Sequence, residues 1–403
     1  MESYVVIGAG QAGGRAVEAL RANGFEGRID LVGAETHLPY ERPPLSKELL
    51  AGDDAPFELM HDAAWFEERN ITLHLGTPVT AIDRAAKRIV VGESRSLAYG
   101  KLLLTTGGVV RQLDIAGINL DNVHYLRTIE ESRAIGDMLK SDARIVVVGG
   151  GFIGLEIAAS ARKRGCSVTV LEAADRLMGR ALPSEIGSVF AALHGASGVD
   201  VRLNTGIERI EGRDRVERVV TSSGEAIEAD GVVVGVGIVP DTTLAAEAGL
   251  RVEDGIVVDE FCRTSDSSIY AAGDVTHHPN PLVGRRIRLE SWQNAQNQAI
   301  AAAQNMHGAD TPFEEIPWFW SDQFDVNLQM CGAPDGWDNL VTRGDLTARD
   351  GLLFQRQGEK IVGAIGLNRP RDMRFIKRMM TAGKTPTAAE LADEAVGFRD
   401  LMK

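Results

Sequence analysis

Only three cysteines, Cys166, Cys262 and Cys331, occur in 403 residues. No two lie close enough in sequence for a Cys-x-x-Cys redox pair or a zinc-ligand spacing. Their number, set against the chain length, excludes a disulfide-stapled secreted domain. An excess of positive charge is also missing: 43 Lys plus Arg face 57 Asp plus Glu, a formal net charge of −14. That balance argues against a general binder of nucleic acid or of an anionic membrane. No apolar run reaches the about 18 residues of a membrane span. The longest candidate, Ile145 to Ala161, is broken by glycines and Glu156. A strand-like run starting at Tyr4 leaves no room for a signal peptide. These absences predict a soluble, cytoplasmic protein.

What the chain has in plenty is glycine, 44 residues, within an ordinary globular profile of 44% apolar and 25% charged residues. The length predicts two or three domains. Two glycine clusters resemble each other. Tyr4-Val5-Val6-Ile7 leads into Gly8-Ala9-Gly10-Gln11-Ala12-Gly13, and Ile145-Val146-Val147-Val148 leads into Gly149-Gly150-Gly151-Phe152-Ile153-Gly154. A helix-like stretch follows each, Gln11 to Ala22 and Phe152 to Arg164, stopping at Gly24 and Gly165. A second apolar strand comes next, Ile29 to Val32 and Ser167 to Leu171, with an acid near its end: Glu35 and Glu172, 22 and 18 residues beyond the third glycine. One such fingerprint is weak evidence. Two, each with strand, helix, strand and acid in order, predict two dinucleotide-binding βαβ units.

The chemistry of each unit is the same. Its first glycine permits a tight turn, the second admits a pyrophosphate, and the third lets helix and strand pack closely. Free N–H groups and the helix dipole hold the phosphates, and the acid accepts from ribose hydroxyls. A carboxylate there repels a 2′-phosphate, so Glu172 predicts NADH over NADPH, although Arg176 lies only four residues on. Two dinucleotides in one chain suggest FAD plus a nicotinamide. Further strand patterns cover Ile71 to Asp83, Arg88 to Val91, Leu102 to Thr105, Asp230 to Gly237 and Ile269 to Ala272, and Asn294 to Met306 reads as a helix. After Pro317 aromatic and alternating apolar residues dominate to about Gly366, then helices follow, which predicts a third, α+β domain.

The longer motifs are Pro39-Tyr40-Glu41-Arg42-Pro43-Pro44-Leu45-Ser46-Lys47, Gly151-Phe152-Ile153-Gly154-Leu155-Glu156, Tyr270-Ala271-Ala272-Gly273-Asp274-Val275, Arg288-Leu289-Glu290-Ser291-Trp292-Gln293-Asn294-Ala295 and Pro317-Trp318-Phe319-Trp320-Ser321-Asp322-Gln323. Over nearly the whole length the chain resembles the FAD-dependent NADH–ferredoxin reductases of bacterial oxygenase and cytochrome P450 systems, the putidaredoxin reductase and biphenyl dioxygenase reductase type. The resemblance implies an α/β fold with two Rossmann-like, glutathione-reductase-like domains plus the C-terminal α+β domain. The FAD-binding domain is then expected over 1–112 and 242–317, the NADH-binding domain over 113–241 and the C-terminal domain over 318–403.

The same resemblance implies residue roles. Arg42 and Lys47 would contact the flavin, Lys47 near its reactive N5 edge. Asp274 would bond the ribitol chain, Val79 would hold the adenine side through its backbone, and Arg127 would sit near the FAD phosphates or flavin. Trp292 would touch the pyrimidine end, with the following helix aimed at it. Ile153 and Glu156 would flank the nicotinamide carboxamide, Glu156 pairing with Lys47, so that Lys47 and Glu156 are the expected catalytic residues. Gly8, Gly10, Gly13 and Glu35 are expected at FAD, and Gly149, Gly151, Gly154, Glu172 and Gly237 at NADH. One departure is the turn Leu104-Thr105-Thr106-Gly107-Gly108, where relatives usually carry an Ala-Thr-Gly-Ala type sequence.

The expected activity is hydride transfer from NADH to FAD and single-electron delivery to an acidic [2Fe–2S] ferredoxin, with no metal bound by the chain itself. No cysteine stands beside Pro44-Leu45-Ser46-Lys47, so electrons would leave the flavin directly for an external carrier. Docking would use a basic surface: residues 358–384 hold Lys360, Arg369, Arg371, Arg374, Lys377, Arg378 and Lys384, and Arg285, Arg286 and Arg288 form a second cluster. Alternatives of the same build are a rubredoxin reductase, an NADH oxidase or a non-enzymatic binding protein like apoptosis-inducing factor.

Overall fold

The computed structural model describes residues 2–52, 57–333 and 335–402. The chain forms two compact units, each assembled from three stretches of sequence. Met1–Arg42, Phe57–Val109 and Val239–Trp318 make the first; Pro43–Pro56, Val110–Ile238 and Phe319–Lys403 make the second.

In the first unit the apolar runs become strands of one parallel sheet, in the order Ile269–Ala271, Lys101–Leu104, Ser3–Ile7, Arg28–Val32 and Ile71–His74. Continuous hydrophobicity is what a strand covered on both faces requires. Side chains alternate between faces, so a single run feeds two cores. Tyr4, Val6, Leu31 and Leu103 pack with Ala16, Val17 and Leu20 of the helix Gln11–Ala22 and with Ala299, Ala302 and Ala303 of the helix Trp292–Met306. Val5, Ile7, Leu102 and Leu104 pack on the other side with Ile89, Val91, Ile256 and Val258. Ile89 and Val91 belong to a three-stranded antiparallel sheet, Val79–Asp83, Arg88–Val91 and Arg95–Ala98.

The second unit repeats this plan. Its parallel sheet runs Val199–Arg202, Ser167–Leu171, Arg144–Val148, Gly231–Val234 and Val123–Tyr125. The expected second-fingerprint helix spans Phe152–Lys163, and left-handed Gly165, like Gly24 in the first unit, follows the helix end. The C-terminal stretch adds a five-stranded sheet ordered Trp318–Gln323, Val326–Gly332, Lys360–Leu367, Asp350–Gln357 and Asn339–Asp345, covered by the helix Pro370–Thr381. Val326, Leu328, Leu353, Ile365 and Leu367 join Leu155, Ala158 and Phe190 in one continuous core. This is the expected α/β fold with a C-terminal α+β element. Among the described residues no helix is long and apolar enough to cross a membrane.

Candidate active site

The first fingerprint divides its glycines by task. Gly8 has φ +108°, and a Cβ there would run into the Thr105 carbonyl; one at Gly13 would overlap the Gly8 carbonyl oxygen. These two are required by packing. A Cβ at Gly10 would meet nothing nearer than the Arg42 guanidinium at 3.7 Å. Gly10 is also the N-cap of the helix Gln11–Ala22, which has no side-chain cap and no acid in its first turn. Unclaimed N–H groups at a helix start with open space before them suit a pyrophosphate, so the residues present fit an FAD.

Around this cradle Glu35 accepts from Tyr40 Oη at 2.6 Å and from Arg42 Nη2 at 2.5 Å. Arg42 is thus paired with the strand-end acid, and its guanidinium lies near the middle glycine. Trp292 opens the helix Trp292–Met306, whose N-cap Ser291 accepts from the Asn294 N–H, and its indole N–H donates to Glu41. Half-buried Asp274 follows left-handed Gly273, whose N–H donates to Gln298 Oε1 at 2.9 Å. Val79 begins its strand beside a bulge opposite Val91. In the variant turn, the Thr105 hydroxyl holds the Ile7 and Gly8 carbonyls, each at 2.9 Å, and that of Thr106 holds Asp241 O at 2.7 Å.

The second fingerprint repeats the division. Gly149 has φ +109° against the Gly235 carbonyl, Gly154 closes on Gly149, and a Cβ at Gly151 would meet nothing within 4 Å. Gly151 caps a helix with neither side-chain cap nor first-turn acid. The cradle fits a second dinucleotide. Glu172 accepts from Gly150 N at 2.7 Å and Ala174 N at 2.8 Å, which turns its carboxylate toward the glycine turn. Arg176 points away, to Asp175 and the Gly179 carbonyl, both at 3.2 Å. Ile153 is 46% exposed at the cradle's edge. Gly237, at φ +98°, lies against the Arg180 guanidinium. Arg127 gives its backbone N–H to Glu131, within the capping box of the helix Ile129–Met138.

Within this same unit Lys47 and Glu156 meet, Nζ to Oε2 at 3.0 Å. Glu156 is not a surface residue of its helix: it is 2% exposed. It also accepts from Ser46 Oγ at 2.5 Å and Ser321 Oγ at 2.6 Å. The segment carrying Lys47 is tied down by Ser132 to Leu45 O and by Ser160 to Ser46 O. Trp320 lies 6.0 Å from the ammonium, and Phe152 stacks obliquely on Phe319 at 4.5 Å.

Sequence reasoning missed Ser46 and Ser321 as partners of Glu156, and Gln323 and His194 as the residues behind Ser321. The sequence carried no signal for them: Ser321, Asp322 and Gln323 are polar alike, and only the structure shows the first and third buried and the second exposed. The second basic cluster needs correction as a docking surface. Arg288 is bound by Asp254 and Glu290, and Arg286 by the Val258 and His277 carbonyls. Arg369 is likewise held by Asp350 and Glu394.

Two phosphate cradles in one chain, with three cysteines that are all buried and free, define a two-dinucleotide oxidoreductase without a dithiol. Residues 2–299 match the family model of the pyridine nucleotide-disulphide oxidoreductases, and 318–402 match the reductase C-terminal model. The chain is 43% identical to the ferredoxin–NAD(+) reductase component of the anthranilate 1,2-dioxygenase system of Burkholderia cepacia, covering 100% of this chain and 99% of that one. Among solved structures it is similar to the ferredoxin reductase for the CYP199A2 system from Rhodopseudomonas palustris, with TM-score 0.97, 36% identity and 100% of both chains covered. It is also similar to putidaredoxin reductase in covalent complex with putidaredoxin, with TM-score 0.96, 36% identity, and 100% and 98% of the chains covered. The chain belongs to the pyridine nucleotide-disulphide oxidoreductase family, in its ferredoxin–NAD reductase branch.

Proposed function

We propose that this protein is a ferredoxin–NAD(+) reductase: it takes a hydride from NADH onto FAD and passes the electrons singly to a [2Fe–2S] ferredoxin serving an oxygenase or cytochrome P450. The observation that carries the reading is the pair of uncapped, sterically open glycine cradles in a chain with no exposed thiol. Bound FAD supplies the conversion between paired and single electrons. The chain supplies binding and position. In this reading residues 1–112 and 242–317 hold FAD, with Gly10, Arg42, Glu35, Val79, Asp274 and Trp292 as its contacts and Arg127 as a further one. Residues 113–241 hold NADH, and 318–403 form the C-terminal domain.

Gly151 and the N–H groups after it bind the NADH pyrophosphate, Glu172 accepts from the adenosine ribose, and Gly237 lets the backbone approach. Glu172 and the averted Arg176 favour NADH over its 2′-phosphorylated form. Ile153 offers an apolar surface to the nicotinamide, and Glu156 accepts from the carboxamide. Lys47, held by Glu156, presents a fixed positive charge to the electron-rich reduced ring. No side chain acts as general acid or base. We take the protein to be cytoplasmic, in line with its free buried thiols.

For docking, the helix Pro370–Thr381 supports a narrower surface than the sequence suggested. Arg371, Arg374 and Arg378 are exposed on it at spacings of three and four, one helical stripe. An acidic ferredoxin fits that stripe. The test is stopped-flow reduction of the purified holoprotein by NADH followed by mixing with candidate ferredoxins. Rapid flavin reduction with rapid ferredoxin reduction is expected. Fast NADH consumption in air with no carrier would instead support an oxidase.

A further inference from the structure

Glu156 is a buried carboxylate, and such a group is stable only when donors surround it. Lys47 is one donor and Ser46 another. The third, Ser321, comes from the C-terminal sheet and has a chain of its own behind it. Gln323 Nε2 donates to Ser321 Oγ at 3.0 Å, and Gln323 Oε1 lies 2.9 Å from His194 Nε2. The polarity of this chain can be worked out. The Gln323 atom facing His194 is its oxygen, which can only accept, so His194 Nε2 must carry the proton and donate. Burial lowers the His194 pKa, which keeps the ring neutral, with the lone pair on Nδ1. That nitrogen is buried and has no partner among the described residues, as suits an atom with no proton to give. The Phe324 ring stands edge-on to the imidazole at 5.0 Å between centroids. Ser321 Oγ, already accepting from Gln323, is left with its proton directed at Glu156 Oε1. Every hydrogen bond from His194 onward therefore runs toward one carboxylate oxygen.

We propose that Ser321, oriented through Gln323 by His194, is a positioning residue for Glu156, so that the C-terminal sheet takes part in nicotinamide recognition. The inference rests on the role given above to Glu156. It extends that role: Lys47 sets the charge balance at one oxygen, and Ser321 sets the direction of the other.

The test is a double-mutant cycle in the FAD-loaded full-length protein, pairing Ser321→Ala with Glu156→Gln. One readout is the dissociation constant for tetrahydro-NAD, an analogue that cannot give a hydride, by calorimetry. The other is the stopped-flow rate of flavin reduction by NADH. In the unaltered background Ser321→Ala should weaken binding and slow reduction by about tenfold, the scale of one hydrogen bond to a charged group. In the Glu156→Gln background it should add almost nothing. Ser321→Thr, which keeps the hydroxyl, should restore both values to within about twofold. Gln323→Leu leaves Ser321 in place but unoriented and should move both readouts the same way; it serves also if Ser321→Ala folds poorly. Equal losses in both backgrounds, or Ser321→Ala and Gln323→Leu at parental values, overturn the inference. Glu156→Gln at parental values overturns the assignment of Glu156 itself, and the inference with it. That outcome is distinct from a Glu156→Gln defect with Ser321 silent.

Discussion

Lys47 and Glu156 are held in one buried polar cluster, and removing either side chain has different physics. Lys47→Met leaves a buried carboxylate with only neutral donors, a loss of about 2–3 kcal/mol that Ser46 and Ser321 keep below the usual cost of an orphaned buried charge. A thermal midpoint several degrees lower, together with slower flavin reduction, is the expected result. Two buried histidines add to the acid sensitivity of the fold. Burial, with the neighbouring charges of His277 and Arg286, lowers His278 from 6.5 to about 4, and burial lowers His194. A histidine kept neutral in the fold takes up a proton on unfolding. The contribution of His278 is thus complete above pH 6.5 and disappears as pH falls toward 4, roughly 3 kcal/mol in all. Thermal midpoints measured from pH 7 to 4 should fall, and His278→Gln should flatten that fall. The cysteines behave in the opposite sense: burial pushes the Cys331 thiol up to about 12 and raises Cys166 and Cys262 too. Native protein treated with N-ethylmaleimide should retain its NADH-dependent activity, since no thiolate is presented.

The two glycine-led helices separate stability from binding. Gly154 has no room for a Cβ against Gly149, whereas Gly151 faces open space. Gly154→Ala should unfold the unit or lower its melting point sharply. Gly151→Ala should melt close to the parent, since a Cβ there meets nothing within 4 Å, and yet raise the KM for NADH about tenfold or more if the pyrophosphate lies there as proposed. Melting curves and steady-state kinetics on both variants decide the matter. These elements were the most legible part of the sequence. Their residues lie within about 35 positions of one another, and turn, helix and acid follow a local geometric rule. The helices Gln11–Ala22 and Phe152–Lys163 and the strand Ser167–Leu171 fall where the pattern puts them. The surroundings of Glu156 were not legible in the same way. Ser46 is 110 residues before it and Ser321 is 165 after it, and neither serine has a fixed spacing to the glutamate. Its buried state arises from tertiary packing, and the run of polar residues Ser321, Asp322 and Gln323 gives no hint of which are buried.

At the scale of the molecule, net charge and local charge point in opposite directions. The chain carries −14 overall, yet the helix Pro370–Thr381 presents Arg371, Arg374 and Arg378 to solvent. Steering of an acidic partner by that stripe should appear as a ferredoxin-reduction rate that falls as salt rises. Arg374→Glu with Arg378→Glu should lower the low-salt rate about tenfold or more and leave NADH-dependent ferricyanide reduction unchanged. A rate flat across ionic strength would remove the steering argument. The sequence showed that this region is rich in basic residues but could not tell committed arginines from available ones. Arg369 and Arg288 look the same in one-letter code, and only their ion pairs with Asp350 and Asp254 take them out.

The threefold stitching of each unit has a bearing on biosynthesis. As the polypeptide leaves the ribosome, the first unit lacks its closing strand and helix until Trp318 has emerged, and the second lacks part of its core until residues after Phe319 follow. Neither nucleotide cradle gains its full backing early, so each is completed only late in synthesis. For the same reason no single cut in the gene yields one intact unit, and a split version would have to be made by rearranging segments.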